Sequence, residues 1–210
     1  VLLMNGVSLP SARGRKTILW IVLSMPLLWL AALVIQELRQ PNSGLGPEPT
    51  EALLHYLGEW SLILVLLAFS VSPLRRRLGW AWLGQHRRFV GLFAFAYVCL
   101  HVLVYAGLYA QFQLTEVLDD FVHRPYITAG IGAFIALSLM ALTSTRGWRW
   151  RLKENWRRLH RLIYVASFLA LVHLLWLRKD PGLAEAIYLA IFVVLMVERM
   201  FSLWQRRRST

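Results

Sequence analysis

Six apolar stretches of about twenty residues run along the chain, at 17–35, 52–72, 89–110, 125–145, 159–177 and 183–203, and short polar or basic segments separate them. A helix rising about 1.5 Å per residue needs roughly 20 residues to cross about 30 Å of hydrocarbon, so each stretch predicts one membrane-spanning helix. The fourth stretch carries no charge, and the third none besides a proton on His101. Glu59, Arg161, Glu185, Glu198 and Arg199 lie near the ends of the others, where long side chains can snorkel to the interface. Arg13, Arg15 and Lys16 precede the first stretch, as in a signal peptide. Its apolar run is too long for one, however, and Gln36-Glu37-Leu38-Arg39 is no small-residue cleavage site, so it reads as a spanning helix. The pattern predicts an all-α membrane protein, a six-transmembrane-helix bundle, with residues 1–210 forming a single domain.

Composition agrees, with 58% apolar residues and ten tryptophans in 210 residues. A net charge of +12 would point to nucleic acid on a soluble fold, but here the basic residues fall between apolar segments. If the N-terminus is cytoplasmic, eighteen Lys and Arg lie on the cytoplasmic side against four (Arg39, Arg124, Arg178, Lys179) outside. That asymmetry predicts that both termini are cytoplasmic. Trp60, Trp80, Trp82, Trp148, Trp150, Trp176 and Trp204 stand at segment ends as an aromatic belt. Cys99 is the only cysteine, which excludes an intrachain disulfide and any cysteine-rich metal site.

The linkers are short. Residues 40–50, with Pro41, Gly44, Gly46, Pro47 and Pro49, predict a turn-rich loop, and Asp180-Pro181-Gly182 a tight one. The basic, Trp-bearing 146–158 segment reads as a topology signal with interfacial anchors, or as an amphipathic piece on the inner surface. No internal repeat is evident, and no nucleotide-binding module follows the sixth stretch.

An imidazole among lipid tails needs a partner. His101 lies 13 residues beyond Arg88 and His173 13 beyond His160, about 20 Å in each case, on helices predicted to run in the same direction. Two imidazoles at matched depth on separate helices can clamp one haem iron from both faces; the bland alternative is interhelical hydrogen bonding. Ala94, Ala166 and Ala170 leave room beside these histidines for a porphyrin edge. His160 is expected at the inner surface, one turn into the fifth helix. A thirteen-residue step rotates a straight helix by about 140°, which takes His160 off the face of His173. A second, inner haem would want a histidine on the third helix 13 to 15 residues before His101, and Arg87 and Arg88 stand there. His86 reads as a solvated loop residue, His55 and His123 as outer-interface residues, and Glu59 and Glu198 as partners of basic groups or headgroups. Cys99 reads as core, and no GxGxxG, Walker, HExxH or GxSxG motif with supporting context occurs.

Three blocks, Arg124-Pro125-Tyr126-Ile127-Thr128-Ala129-Gly130, Ala141-Leu142-Thr143-Ser144-Thr145 and Trp156-Arg157-Arg158-Leu159-His160-Arg161-Leu162-Ile163-Tyr164, carry a resemblance. Val172-His173, Trp176, His101, Gly44-Leu45-Gly46-Pro47 and Ser72-Pro73-Leu74 extend it over nearly the whole chain. The sequence resembles the MsrQ (YedZ) family, haem-binding membrane subunits of the bacterial protein-methionine-sulfoxide reductase system, itself similar to the ferric reductase-like transmembrane domain. The resemblance implies haem b between helices three and five, with His101, His173 and His160 as haem-associated residues and ligands of its iron, and FMN as a second cofactor. It further implies a bacterial inner-membrane electron relay, quinol-independent, and not a catalytic subunit. A cytosolic NAD(P)H-dependent flavin reductase would donate electrons, and a periplasmic molybdopterin methionine sulfoxide reductase, MsrP, would receive them. Arg75, Arg76, Arg77, Arg87 and Arg88 form a basic cluster suited to a flavin phosphate or an acidic donor, though topology explains the same charges. The rival readings are a haem-free membrane anchor or assembly factor for a periplasmic partner, and a ferric reductase-like cytochrome with another acceptor. A transporter would need broken helices or paired intramembrane charges, and only Pro26 marks a mid-helix break.

Overall fold

A computed structural model describes residues 11–178, 180 and 182–208. Lys179 and Pro181, used in the charge asymmetry and the predicted 180–182 turn, lie outside them, as does the Arg206 side chain. Among the described residues eight α-helices follow one another: α1 (Ala12–Arg39), α2 (Pro49–Arg77), α3 (Leu83–Val104), α4 (Leu114–His123), α5 (Pro125–Leu142), α6 (Arg146–Leu159), α7 (Leu162–Leu177) and α8 (Leu183–Arg208). Helix α3 runs on into a π-helical turn, Tyr105–Tyr109, and no strand occurs among the described residues.

Five segments are long and apolar enough to cross a membrane: Arg13–Arg39, Pro49–Arg77, Leu83–Tyr109, Pro125–Leu142 and Leu183–Gln205. Helices α6 and α7, bent by 50° at a short break, make a sixth if the pair is one span. This is a multi-pass, all-helical membrane protein. The fifth predicted stretch is therefore not one straight helix: α7 begins only at Leu162, after a break at His160 and Arg161. The reason lies in charge, since Arg157, Arg158 and Arg161 cannot follow an apolar helix into hydrocarbon and hold the chain at the interface. The 146–158 segment is helical, with a left-handed kink at Lys153 (φ 46°). Pro26 breaks nothing, because α1 passes through it, as α2 passes through Pro73. Helix α4 falls where a loop is expected, and its short amphipathic pattern escapes a search for 20-residue apolar runs.

The chain divides into two compact units at Pro49 and Thr50. Within the first, α1 is capped by the Ser11 hydroxyl, which accepts from the Gly14 N–H. The Glu37 carboxylate near its other end accepts the N–H groups of Asn42 (2.6 Å), Gly44 (3.0 Å) and Leu45 (2.9 Å), folding the glycine- and proline-rich loop back on the helix. In the second unit α5 packs along α7, and α3 and α4 also pack against α5, while α7 meets α8. The core is built from stripes at helical spacing: Leu62, Val65 and Phe69 on α2, Val90, Ala94 and Tyr97 on α3, Ala133 and Leu137 on α5, and Ile163 and Ala166 on α7. Much of α8 exposes apolar side chains, including Ile187, Val193, Val194 and Val197, as a lipid-facing helix does.

Glu198 on α8 ties that helix to the end of α2. Its carboxylate accepts from Arg76 at 2.7 Å and lies 3.6 Å from Arg77. Glu59 instead accepts from the Tyr188 hydroxyl at 2.6 Å, an aromatic partner where a basic one is expected. Replacing Glu198 with alanine strands the half-buried Arg76 charge, at a cost of about 2 kcal/mol for a charged hydrogen bond. The thermal midpoint of the detergent-solubilised protein should then fall by roughly 4–8 °C, and by less for Glu198→Gln. An unchanged midpoint for Glu198→Ala would show that the pair contributes nothing.

Candidate functional site

The stripe of Val90, Ala94 and Tyr97 on α3 continues, one turn further, to His101. On α7 the buried positions Ile163 and Ala166 lead in the same way through Ala170 to His173. Helical periodicity thus turns both imidazoles inward, and their ring centres lie 6.2 Å apart with the ring planes at 79°. His101 Nδ1 lies 3.1 Å from the carbonyl oxygen of Leu54 on α2, and His173 Nδ1 lies 2.7 Å from that of Tyr126 on α5. A carbonyl only accepts, so in each ring Nδ1 carries the proton and Nε2 is left with its lone pair.

That arrangement fits one metal held between two imidazoles. Metal–imidazole bonds of about 2.0–2.1 Å on each side, with the ligating nitrogen roughly 1 Å from its ring centre, require centres a little over 6 Å apart. The Nδ1–carbonyl bonds are the outer-shell contacts that orient metal-bound histidines. Among the described residues no group of three or more His, Cys, Asp or Glu side chains gathers round one point. Two imidazoles alone are too few for a bare ion, but they would suffice to hold a haem, whose porphyrin supplies the other iron ligands.

The two halves of the site repeat one another. His101 follows its carbonyl partner by 47 residues and His173 follows its own by the same 47. One turn beyond each carbonyl stands a glycine, Gly58 or Gly130, against which the imidazole packs. The helix pair α2–α3 thus has a counterpart in α5–α7, a repeat that sequence inspection misses because few side chains besides the histidines and glycines are shared. Toward the basic end the register slips by two residues, since Trp82 and His86 precede Trp156 and His160 by 74 where the carbonyls, glycines and histidines are separated by 72, and only the local Trp–His pairing is alike. In both places the indole contacts the imidazole, edge-on at 6.0 Å for Trp82 and His86 and stacked at 3.9 Å for Trp156 and His160. His86 is not a solvated loop residue; it is buried in the first turn of α3.

His160 lies at the break between α6 and α7 and not one turn into a helix, so the straight-helix rotation does not apply to it. The Trp156 indole N–H donates to the Thr143 carbonyl at 2.9 Å, which ties α6 to the end of α5 and fixes the plate on which His160 stacks. A cavity of about 500 Å³ opens beside it, lined by Gly91 and Ala94 on α3, with Arg87, Arg88, Arg149 and Trp156 at its polar end. Of the other arginines of the basic cluster, Arg75 lies over Gly84, while Arg76 and Arg77 engage Glu198. His55 and His123 pair with Glu51 and Asp119, one turn away on their own helices.

At the opposite end the Arg124-Pro125-Tyr126 block acquires a structural reason. Arg124 pairs with the buried Asp120 of α4 at 3.0 Å and donates to the Tyr109 hydroxyl at 2.6 Å, and Asp120 accepts from Tyr105, one turn past His101. The bond to Tyr109, with Asp120 nearby, pushes the Arg124 pKa above its ordinary value. Pro125 opens α5, and Tyr126 presents the carbonyl that receives His173. The cluster therefore joins the far end of the His101 helix to the residue that orients His173.

Comparison with known proteins agrees with this architecture. Residues 57–171 match the family described as ferric reductase like transmembrane component, a segment that contains both histidines' glycine partners and His101 but ends just short of His173. A protein of Rhodospirillum rubrum named protein-methionine-sulfoxide reductase heme-binding subunit MsrQ is 37% identical over 209 residues, 98% of each chain. Relatives with the same name occur in Caulobacter vibrioides, 39% identical over 91% of this chain and 88% of the relative, and in Xanthomonas campestris pv. campestris (strain 8004), 37% identical over 95% and 92%. The chain belongs to the MsrQ family of ferric reductase-like membrane proteins.

Proposed function

We propose that the protein is the haem-carrying electron-transfer subunit of a methionine sulfoxide reductase system, with haem b held between His101 and His173. The observation that carries this reading is the adjacent pair of imidazoles, ring centres 6.2 Å apart, each with Nδ1 bonded to a carbonyl, which leaves Nε2 with its lone pair. When bound there, haem supplies one-electron transfer through ferric and ferrous iron. His101 and His173 would hold it through Nε2, and the carbonyls of Leu54 and Tyr126 keep each Nδ1 protonated and each ring oriented. The 18-to-4 bias of Lys and Arg supports an inner-membrane orientation with both termini cytoplasmic, which needs an even number of spans, six with α6 and α7 counted as one.

The cavity beside His160 is the entry site in this reading. Arg87, Arg88 and Arg149 set three cations round a space that Trp156 and His160 flank with aromatic faces. That chemistry suits a flat, anionic cofactor, and FMN with its phosphate on Arg87 and Arg88 is the assignment we make. Arg75 and Arg77, turned to Gly84 and Glu198, serve the fold of the basic end more than the ligand. His160 faces that cavity and, in this reading, associates with the inner cofactor or with a second haem iron. Electrons would come from a cytosolic flavin reductase and leave for a periplasmic molybdopterin subunit, MsrP; the catalytic reduction belongs to that partner.

Three outcomes test this. Purified protein should be red, with a Soret band that shifts on dithionite reduction, and replacing His101 or His173 with alanine should abolish that band; full haem content in either variant would exclude the clamp. His160→Ala should keep the outer haem, as measured by pyridine haemochrome, while losing whatever occupies the cavity. Complete loss of haem in that variant would contradict the separation of the two sites. Arg87→Ala combined with Arg88→Ala should release FMN on desalting, and retention equal to wild type would remove the phosphate assignment.

A further inference from the structure

The proposed clamp leaves open what aims the two rings. In an α-helix the carbonyl of residue i points toward residue i+4, already accepts the N–H of that residue, and has one lone pair left. A side chain at i+4 crowds the approach to that lone pair. At both places where an imidazole reaches such a carbonyl on a different helix, residue i+4 is glycine: Gly58 after Leu54 and Gly130 after Tyr126; His123 and His160 instead meet the carbonyls of Asp119 and Trp156, four residues back on their own segments.

The space is filled by the rings themselves. A Cβ on Gly130 would lie 2.8 Å from His173 Nδ1, 3.1 Å from its Cε1 and 3.3 Å from its Cγ. A Cβ on Gly58 would lie 3.1 Å from His101 Cε1 and 3.4 Å from its Nδ1. In both rings the edge that carries Nδ1 rests on the glycine. Neither glycine has a left-handed backbone, so conformational freedom does not explain them. Gly132, also on α5, makes a useful contrast, because a Cβ there would meet only the tip of the Leu169 side chain, at 3.0 Å.

We infer that Gly58 and Gly130 are paired positioning residues for the haem ligands: each admits its imidazole to a helix carbonyl, and that hydrogen bond fixes the ring and raises the basicity of the coordinating nitrogen. The inference rests on the clamp of His101 and His173. A more basic axial nitrogen favours ferric over ferrous iron, so weakening the Nδ1–carbonyl bond raises the midpoint potential. Gly130, with the tighter approach, exerts the larger effect.

The experiment uses full-length protein purified with its haem. Gly130→Ala should retain haem yet shift the ferrous-to-ferric ratio at fixed potential about tenfold toward ferrous, about 59 mV for one electron, and move the low-spin ferric EPR gmax, which reports the angle between ligand planes. Gly58→Ala should move both readouts in the same direction by less, and it serves as the deciding variant if Gly130→Ala does not assemble, since its neighbour need give only a few tenths of an ångström. Gly132→Ala should leave both at wild-type values. Wild-type potential and EPR in a haem-loaded Gly58→Ala or Gly130→Ala protein would overturn the assignment, as would an equal shift in Gly132→Ala. Failure of the clamp itself is seen separately, as haem retained in His101→Ala or His173→Ala.

Discussion

An imidazole inside hydrocarbon has two nitrogens to satisfy and no water with which to satisfy them. For His101 and His173 the structure meets half of that demand with a main-chain carbonyl, and the other half follows from it. Once Nδ1 donates to Leu54 or Tyr126, the proton is committed, the tautomer is set and the lone pair of Nε2 has to find an acceptor of electrons. Iron is such an acceptor. The packing around the pair serves this constraint: the buried residues beside the histidines on α3 and α7 include the small Ala94 and Ala166, and glycines on α2 and α5 let the rings reach the backbone.

The spans were legible because hydrocarbon imposes a length on apolar runs, and α2, α3, α5 and α8 lie where those runs do. His101 and His173 were legible as a pair for a related reason, since depth can be counted in residues along helices that start from the same basic side. What depth could not supply was the second half of each ligand. Leu54 and Tyr126 contribute only a carbonyl, which no residue type reports, and their distance in sequence makes the contact invisible to helical periodicity. The glycines were visible but unassigned. A search for the same separation between histidine and glycine in the two halves would have found both, and with them the repeat.

His86 shows the opposite failure, because basic density around 86–88 reads as solvated surface, whereas the 146–158 segment forms the amphipathic helix that its tryptophans and arginines suggest. Arg149 lies over the Trp156 ring at 5.6 Å, Arg151 over Trp148 at 5.6 Å, and His86 is buried against Trp82. Charge counted along the chain therefore misplaces His86, which an indole shelters from solvent. The break at His160 comes from charge, because a helix that must both lie at the interface and enter the membrane turns where its last arginines stop it.

The repeat also explains why the two ends of the site differ. At the deep end both halves contribute the same three parts, carbonyl, glycine and imidazole, and the result is a symmetric pair. Toward the basic end the halves diverge: α3 turns Arg87 and Arg88 to the cavity where α7 is preceded by His160. Two imidazoles can share one metal, and the guanidinium groups of Arg87, Arg88 and Arg149 add positive charge at the other end that favours an anionic group such as a phosphate or a carboxylate beside whatever His160 engages. In the proposed reading the two halves would hold haem between their histidines and an anionic group at the basic edge, and substitutions confined to one half are enough to separate the two sites.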